Sequence, residues 1–258
     1  MRGTESVMEV ARKNIIDGLG KGLRVIEAFD DEHARLTASE TAIRADISRT
    51  AARRYLLSLV HFGYAATDGK RFWLSPRVLM LGQSYLSAAR LPRLVLPFIQ
   101  RLAAECGENF NFSVLDGHEV VYLARSQSNR MVTIGFPVGA RVPAHVVTPG
   151  PAILSAWEPA AMEAWVAEHE FSTFTANTPT HAEVFRRDVE AARELGYWVA
   201  EQQLSSGLRG FAVPIKTRRG ECVGAVGATM TMHQSREAMV ARLLPRVMDV
   251  AMQLQQVL

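Results

Sequence analysis

Residues 37–74 constrain this chain more than any other stretch, because they set several local signals in one order. Ser48 is a helix N-cap by residue type, since its hydroxyl can accept from a free backbone N–H of the first turn. Behind it Ala52, Tyr55, Leu56 and Leu59 recur at the spacing of one apolar helix face. Arg49, Thr50, Arg53 and Arg54 fall on the other side. Upstream, Thr37 or Ser39 can cap a shorter helix, and Glu40 stands three after Thr37, as a capping box requires. That helix should end near Ala45-Asp46-Ile47, leaving a short turn before Ser48. After Phe62-Gly63, residues 64–67 and 70–74 read as two strands about Asp68-Gly69, a hairpin turn signal, with Lys70 and Arg71 at the tip.

A charged helix face alone fits a solvated surface. The sequence of capped helix, short turn, arginine-rich helix and basic hairpin fits a winged helix-turn-helix instead. Its second helix enters the major groove and its hairpin touches phosphates or the minor groove. Arginine can bind guanine bidentately or clamp a phosphate. The candidate DNA-contacting residues are Thr37, Ser39, Ser48, Arg49, Thr50, Arg53, Arg54, Lys70 and Arg71.

Charge supports this placement. The chain of 258 residues carries a net charge of +3. Residues 1–90 hold a positive excess and residues 91–258 a slight negative one, so the cationic footprint sits with the helix-turn-helix. Cys106 and Cys222 fit no zinc spacing and no disulfide framework, so buried free thiols are expected. No signal peptide is visible at the N-terminus, and no apolar run approaches the length of a membrane span. The expected location is the cytoplasm, with no membrane partner and no cofactor or metal.

Four segments follow from the punctuation of the chain. Residues 1–18 read as a tail and 19–75 as the DNA-binding domain, opened by a helix over 19–29. Residues 76–91 read as a linker helix with Pro76 at its first position and an end at Pro92. Its Val78, Leu79, Leu81, Tyr85, Leu86 and Ala89 make an apolar surface suited to a counterpart in a dimer, and a two-fold protein reads an inverted repeat. Residues 92–258 mix helices over 94–106, 148–157, 159–168, 182–195 and 235–258 with strands over 109–115, 118–125, 131–136, 197–199, 211–215 and 223–231. Residues 138–145 read as an irregular loop. The fold class is α+β, with antiparallel hairpins in the larger domain.

Gly22–Phe29, Leu36-Thr37, Ile47–Leu56, Gly63-Tyr64, Asp68-Gly69 and Phe72–Leu79 together resemble the IclR family of bacterial transcriptional regulators. The resemblance continues through Val138-Gly139, Pro143-Ala144-His145, Thr148-Pro149-Gly150, Gly196-Tyr197, Glu201-Gln202-Gln203 and Gly207-Leu208-Arg209. It implies a GAF-like effector domain with a curved sheet and a small-molecule pocket, in a dimer or tetramer. Residues 97–99, 109–111 and 122–125 resemble the branch that regulates aromatic-acid catabolism by the β-ketoadipate route. Protocatechuate, 4-hydroxybenzoate or β-ketoadipate is then the expected kind of effector. One departure is Gly150-Pro151-Ala152, where the family often has Gly-Lys-Ala, so a cation is missing from the pocket rim.

The pocket residues implied by the resemblance are Thr148, Pro149, Gly150, Glu201, Gln203, Gly210, Gly227 and Thr229. Gly150 at a helix start offers N–H groups to an anion, and Gly210, Gly224 and Gly227 leave room beside a sheet. Arg125 or Arg209 could pair with a ligand carboxylate, and His145 could meet the ligand or a backbone carbonyl. Phe112, Val121, Leu123 and Val226 are the expected apolar walls. An enzyme is the alternative class. The seven histidines form no H-E-x-x-H, and no G-x-S-x-G elbow or phosphate loop is present. A DNA-binding protein without effector is the other alternative, and it leaves the larger domain without a purpose.

Overall fold

Helix capping and short-range periodicity build the first unit. The computed structural model describes residues 11–126 and 135–258. The chain divides into two compact units, Met1–Ala88 and Ala89–Leu258. In the first, α1 (Asp17–Glu27) precedes a two-residue strand β1 (Leu36–Thr37), α2 (Ala38–Arg44) and α3 (Arg49–His61). The hairpin β2 (Ala65–Thr67) and β3 (Arg71–Leu74) follows, and Ser75 caps a 3-10 turn that leads into α4 (Leu79–Ala88). Thr37 and Glu40 form the capping box of α2, and Ser48 Oγ accepts from Ala51 N–H at 3.2 Å to cap α3. Val25, Ala45, Leu56 and Phe72 make the small core that joins helices to wing.

Local patterning misplaced several boundaries here. The first helix starts at Asp17, two residues before the expected Leu19, and has no side-chain cap to announce it. Strand β1 was not expected. It pairs with β3 (Leu36 opposite Phe72), so the wing has three strands in the order β1-β3-β2. The helix break expected at Pro92 falls at Ala89, whose φ −67° and ψ 120° are extended. Pro92 itself lies in the first turn of the next helix, where a missing N–H leaves no hydrogen bond unmade.

The second unit opens with α5 (Arg90–Cys106), ended by Gly107 in the left-handed region at φ 68°. Strands β4 (Phe110–Asp116) and β5 (Glu119–Arg125) form a hairpin, and β6 (Arg141–Pro143) pairs with β5. Helices α6 (Pro149–Leu154), α7 (Pro159–Glu168) and α8 (Ala182–Leu195) lead to β7 (Trp198–Glu201), β8 (Leu208–Lys216), β9 (Cys222–Thr231) and α9 (Arg236–Gln255). The six strands make one antiparallel sheet in the order β6-β5-β4-β9-β8-β7. The segment read as an irregular loop over 138–145 thus contains an edge strand. Of the strand expected over 131–136, residues 131–134 lie outside the described residues, and Gly135 and Phe136 are in no strand.

The two sheet faces differ in side-chain size. Phe110, Phe112, Leu123, Phe211, Val213, Ile215, Val226 and Met230 pack in one core with Val95 and Ile99 of α5 and Leu243 and Val247 of α9. Across the sheet the cross-strand row Asn111, Gly227, Ala212, Trp198 and the next row Thr229, Gly210, Ala200 lie on the opposite face. Small residues there keep the packing partners α6 and α8 from filling all the space, and a cavity remains.

Candidate functional site

Helix α3 presents Arg49, Thr50, Arg53 and Arg54 to solvent, while Ala52 and Leu56 are fully buried on its other face. The three guanidinium groups make no side-chain hydrogen bond or ion pair among the described residues. Other arginines of this unit are committed to structure. Arg24 donates to Ala45 O at 3.1 Å, and Arg44 donates to Ala28 O at 2.6 Å and pairs with Asp30. Of the two wing-tip cations, Lys70 is exposed, whereas Arg71 turns back to donate to Arg35 O at 3.3 Å. Asp68 Oδ1 accepts from the N–H groups of Lys70 and Arg71, so the carboxylate holds the turn and Gly69, at φ 95°, sits inside it. Thr37 is spent on capping, while Ser39 is exposed within α2.

A cavity of about 290 Å³ lies on the small-residue face. Tyr122, Phe136, Leu204, Leu208, Val146 and Val147 give it apolar walls, and Asn111, Thr148, Gln203 and Thr229 give it polar points. None of its described lining residues is charged. Among the described residues, Asn111 Oδ1 and Gln203 Oε1 are buried acceptors without a hydrogen-bond partner. A buried acceptor left unpaired costs about 1–3 kcal/mol, so a ligand that donates to one recovers that penalty. The loop that carries Gln203 is held firmly. Gln202 adopts φ 56°, a left-handed conformation unusual for glutamine. The hydroxyl of Thr175 donates to Gln202 O at 2.6 Å, and that of Thr178 donates to Gln203 O at 2.6 Å.

The structure brings Thr148, Pro149, Gln203, Gly210, Gly227 and Thr229 together around this cavity. It does not bring the rest of the expected set. Arg209 is buried, pairs with Glu201 at 2.5 Å and donates to Gln234 O at 2.7 Å, so both groups are consumed in the β7–β8 hairpin. His145 is fully buried and bonds the carbonyl of Ser172 at 2.8 Å. Gly150 serves packing. A Cβ there would stand 1.9 Å from Ala144 O, and its N–H is taken by Val147 O. Its proline neighbours Pro149 and Pro151 carry no N–H, so this helix start is a poor anion site. Gly210 likewise gives no free room, because Thr148 Oγ1 lies 1.8 Å from where its Cβ would be. Gly224 is closed by Ser113 O at 2.4 Å. Arg125 does not line the cavity; it stands behind the wall, donating to the carbonyl of Phe136, which does line it, at 3.2 Å. The four expected apolar walls, Phe112, Val121, Leu123 and Val226, all pack on the α5–α9 side of the sheet. The true walls include Tyr122, one residue from two of them, so strand alternation marked the right strands with the wrong face.

A chain of three histidines lies beyond the cavity wall. His145 Nε2 faces a carbonyl, which only accepts, so this nitrogen carries the hydrogen. His145 Nδ1 must then accept from His169 Nε2 at 2.7 Å, and His169 Nδ1 from His118 Nδ1 at 3.2 Å. His145 and His169 thus have both ring nitrogens paired in the neutral state. Burial, and then the neighbouring rings, hold the His169 pKa down to about 4, and burial lowers His145 as well. Near the cavity, burial pushes the Asp188 carboxyl up to about 6 against the hydrogen bond from Gln203 and the charges of Arg187 and Arg236.

These two groups act on stability with opposite sign. As pH falls from 6.5 towards 4, the unfolded chain takes a proton on His169 that the folded chain refuses, so stability is lost. As pH falls from 6 towards 3.8, folded Asp188 takes a proton that the unfolded chain does not, so stability is gained. Between pH 7 and 5 each amounts to about 1–2 kcal/mol, the Asp188 figure being the smaller because folded Asp188 starts to take its proton only near pH 6. Denaturant titrations should therefore show Asp188→Asn losing more stability than the wild type over this interval and His169→Phe losing less. Three parallel pH profiles would contradict the assignment.

Residues 18–69 match the IclR helix-turn-helix domain, and residues 83–256 match the domain described as bacterial transcriptional regulator IclR C-terminal. The chain is 35% identical over 252 residues to the p-hydroxybenzoate hydroxylase transcriptional activator of Acinetobacter baylyi, covering 95% of this chain and 93% of that one. It is 31% identical to the Pca regulon regulatory protein of Pseudomonas putida, covering 90% of this chain and 80% of that one. Among solved structures, an IclR homolog complexed with 4-hydroxybenzoate from Microbacterium hydrocarbonoxydans superposes with a TM-score of 0.73 at 25% identity, covering 93% of this chain and 99% of that one.

Proposed function

The chain belongs to the IclR family of bacterial transcriptional regulators, and from that premise we propose that it controls a catabolic operon in response to a small aromatic acid bound on the small-residue face of its effector sheet. The observation that carries this reading is the cavity of about 290 Å³, mostly apolar, with unpaired acceptors at Asn111 and Gln203. A hydroxylated benzoic acid suits it. The ring takes Tyr122, Phe136, Leu204 and Leu208, and the hydroxyl donates to an amide oxygen. Arg125, bonded to the carbonyl of Phe136, brings a cation to that wall for the carboxylate. The solved relative bound to 4-hydroxybenzoate points to the same class of ligand.

DNA is read by α3, with Arg49, Arg53 and Arg54 in contact and Lys70 on the wing. Two chains act together, through the apolar surface that α4 exposes. Leu79 is 71% and Tyr85 54% accessible, which is unusual for large apolar side chains on one helix. A ligand regulates only through its different affinity for two arrangements of the DNA-bound dimer. The test is fluorescence anisotropy with DNA from the promoter next to its own gene, with and without 4-hydroxybenzoate. The acid should change DNA affinity by about 5–150-fold, the usual range of coupling between sites. An unchanged affinity at saturating acid would contradict the proposal.

A further inference from the structure

Gln203 stands between two hollows. On one side is the neutral cavity just described. On the other is a polar hollow lined by Asn177, Asp188, Trp198, Glu201 and Arg236. The amide spans the wall. Its Nε2 donates to Asp188 Oδ2 at 3.4 Å, and its Oε1 is buried without a partner. An amide is two-faced, and its orientation decides whether the cavity meets an acceptor or a donor. A carboxylate only accepts, so an ionised Asp188 draws the NH₂ to itself and leaves the oxygen for the cavity. The main chain that carries the amide is held in place, since Gln202 is in the left-handed region and the carbonyls of both glutamines accept threonine hydroxyls, so the hydrogen bond to Asp188 is what orients the side chain. Asn111 also lines the cavity and carries an unpaired oxygen, but no side-chain hydrogen bond among the described residues orients its amide.

We infer that Gln203 selects effectors by accepting a hydrogen bond from a ring hydroxyl, and that Asp188, which never touches the effector, is the positioning residue that fixes the amide for that task. The inference rests on the proposed aromatic-acid reading and deepens it. It assigns the preference for a hydroxylated over a plain benzoic acid to one hydrogen bond. Benzoate would leave the Gln203 oxygen unpaired and desolvated, and a site built to bond a hydroxyl rejects the analogue lacking it. At pH 8 Asp188 is ionised, and of the charged groups facing it Arg187 and Arg236 favour that state while Glu201, across the hollow, opposes it.

The experiment measures dissociation constants of 4-hydroxybenzoate and benzoate at pH 8 for the full chain and three variants. The wild type should prefer 4-hydroxybenzoate by roughly tenfold or more. Gln203→Met, similar in shape but without the amide, should bring the ratio close to one. Asp188→Leu should lower the ratio as well, and in the Gln203→Met background it should change the ratio no further. Asp188→Ala serves the same purpose if the leucine variant does not fold. A merely structural role for Asp188 weakens both acids alike and leaves the ratio where it was, which would overturn the inference. So would a wild type that binds both acids equally. If the wild type binds neither acid, the aromatic-acid reading fails and this inference with it, whereas a wild-type preference that survives every variant removes the inference alone.

Discussion

Gly150→Ala should lower the stability of the effector domain by more than about 3 kcal/mol, or prevent its folding. The added Cβ meets main-chain atoms, Ala144 O at 1.9 Å and Ala144 C at 2.7 Å, not the end of a flexible side chain. Relief requires moving α6 away from the Ala144–Val146 turn. That helix packs on β4, β8 and β9 and carries Pro149 at the cavity wall. The damage should therefore reach the cavity. Thermal unfolding of the full chain should show the effector-domain transition falling by more than about 6 °C. Gly20→Ala is the contrast. Nothing lies within 4 Å of its Cβ position, and it sits inside α1, so the added methyl should leave stability unchanged or raise it by up to about 1 kcal/mol. Equal effects of the two substitutions would contradict the packing role given to Gly150.

Alanine at Arg49, Arg53 and Arg54 should remove most of the DNA affinity. An arginine paired with a guanine edge is worth about 1–3 kcal/mol, and its loss relaxes specificity at that base. An arginine on a phosphate weakens all sequences alike and reduces the salt slope by about one unit. In a complex of two chains each substitution is present twice, so the losses compound. Gel-shift titrations at several salt concentrations separate the base readers from the phosphate clamps. Arg24→Ala and Arg44→Ala should instead loosen the fold of the unit, since both side chains hold main-chain carbonyls. Undiminished affinity in all three α3 variants would remove α3 as the reading helix, and one chain per duplex on sedimentation would remove the dimer.

The DNA-binding unit was readable because its signals are local. A cap at Thr37, another at Ser48 and a helical repeat over residues 52–59 each involve neighbours in sequence, and all of them appear in the fold. Strand β1 escaped because two residues carry no periodicity and exist as a strand only through pairing with β3. In the effector domain the strands were readable but their facing was not. Helices cover both sides of the sheet, so apolar residues occur on both faces and alternation loses its contrast. Phe112, Val121, Leu123 and Val226 were thus assigned to the cavity when it is Asn111, Tyr122, Gly227 and Thr229 that reach it. A better signal was available in size: glycine, alanine and threonine recur at alternate positions of β8 and β9. Arg209 was ambiguous for another reason. Its partner Glu201 lies across a hairpin whose register only the folded structure supplies. The histidine chain joins residues 118, 145 and 169 from three separate segments, and no spacing announces it.

Calorimetric titration of the full chain with 4-hydroxybenzoate tests most directly whether the small-residue face holds an aromatic acid. Saturable binding at one site per chain is predicted. Ala200→Leu places three more carbons against the cavity, and overpacking of about 1–3 kcal/mol should weaken binding roughly tenfold or more while the thermal transition of the domain is retained. No binding by the wild type, or equal binding by a folded Ala200→Leu variant, would contradict the account.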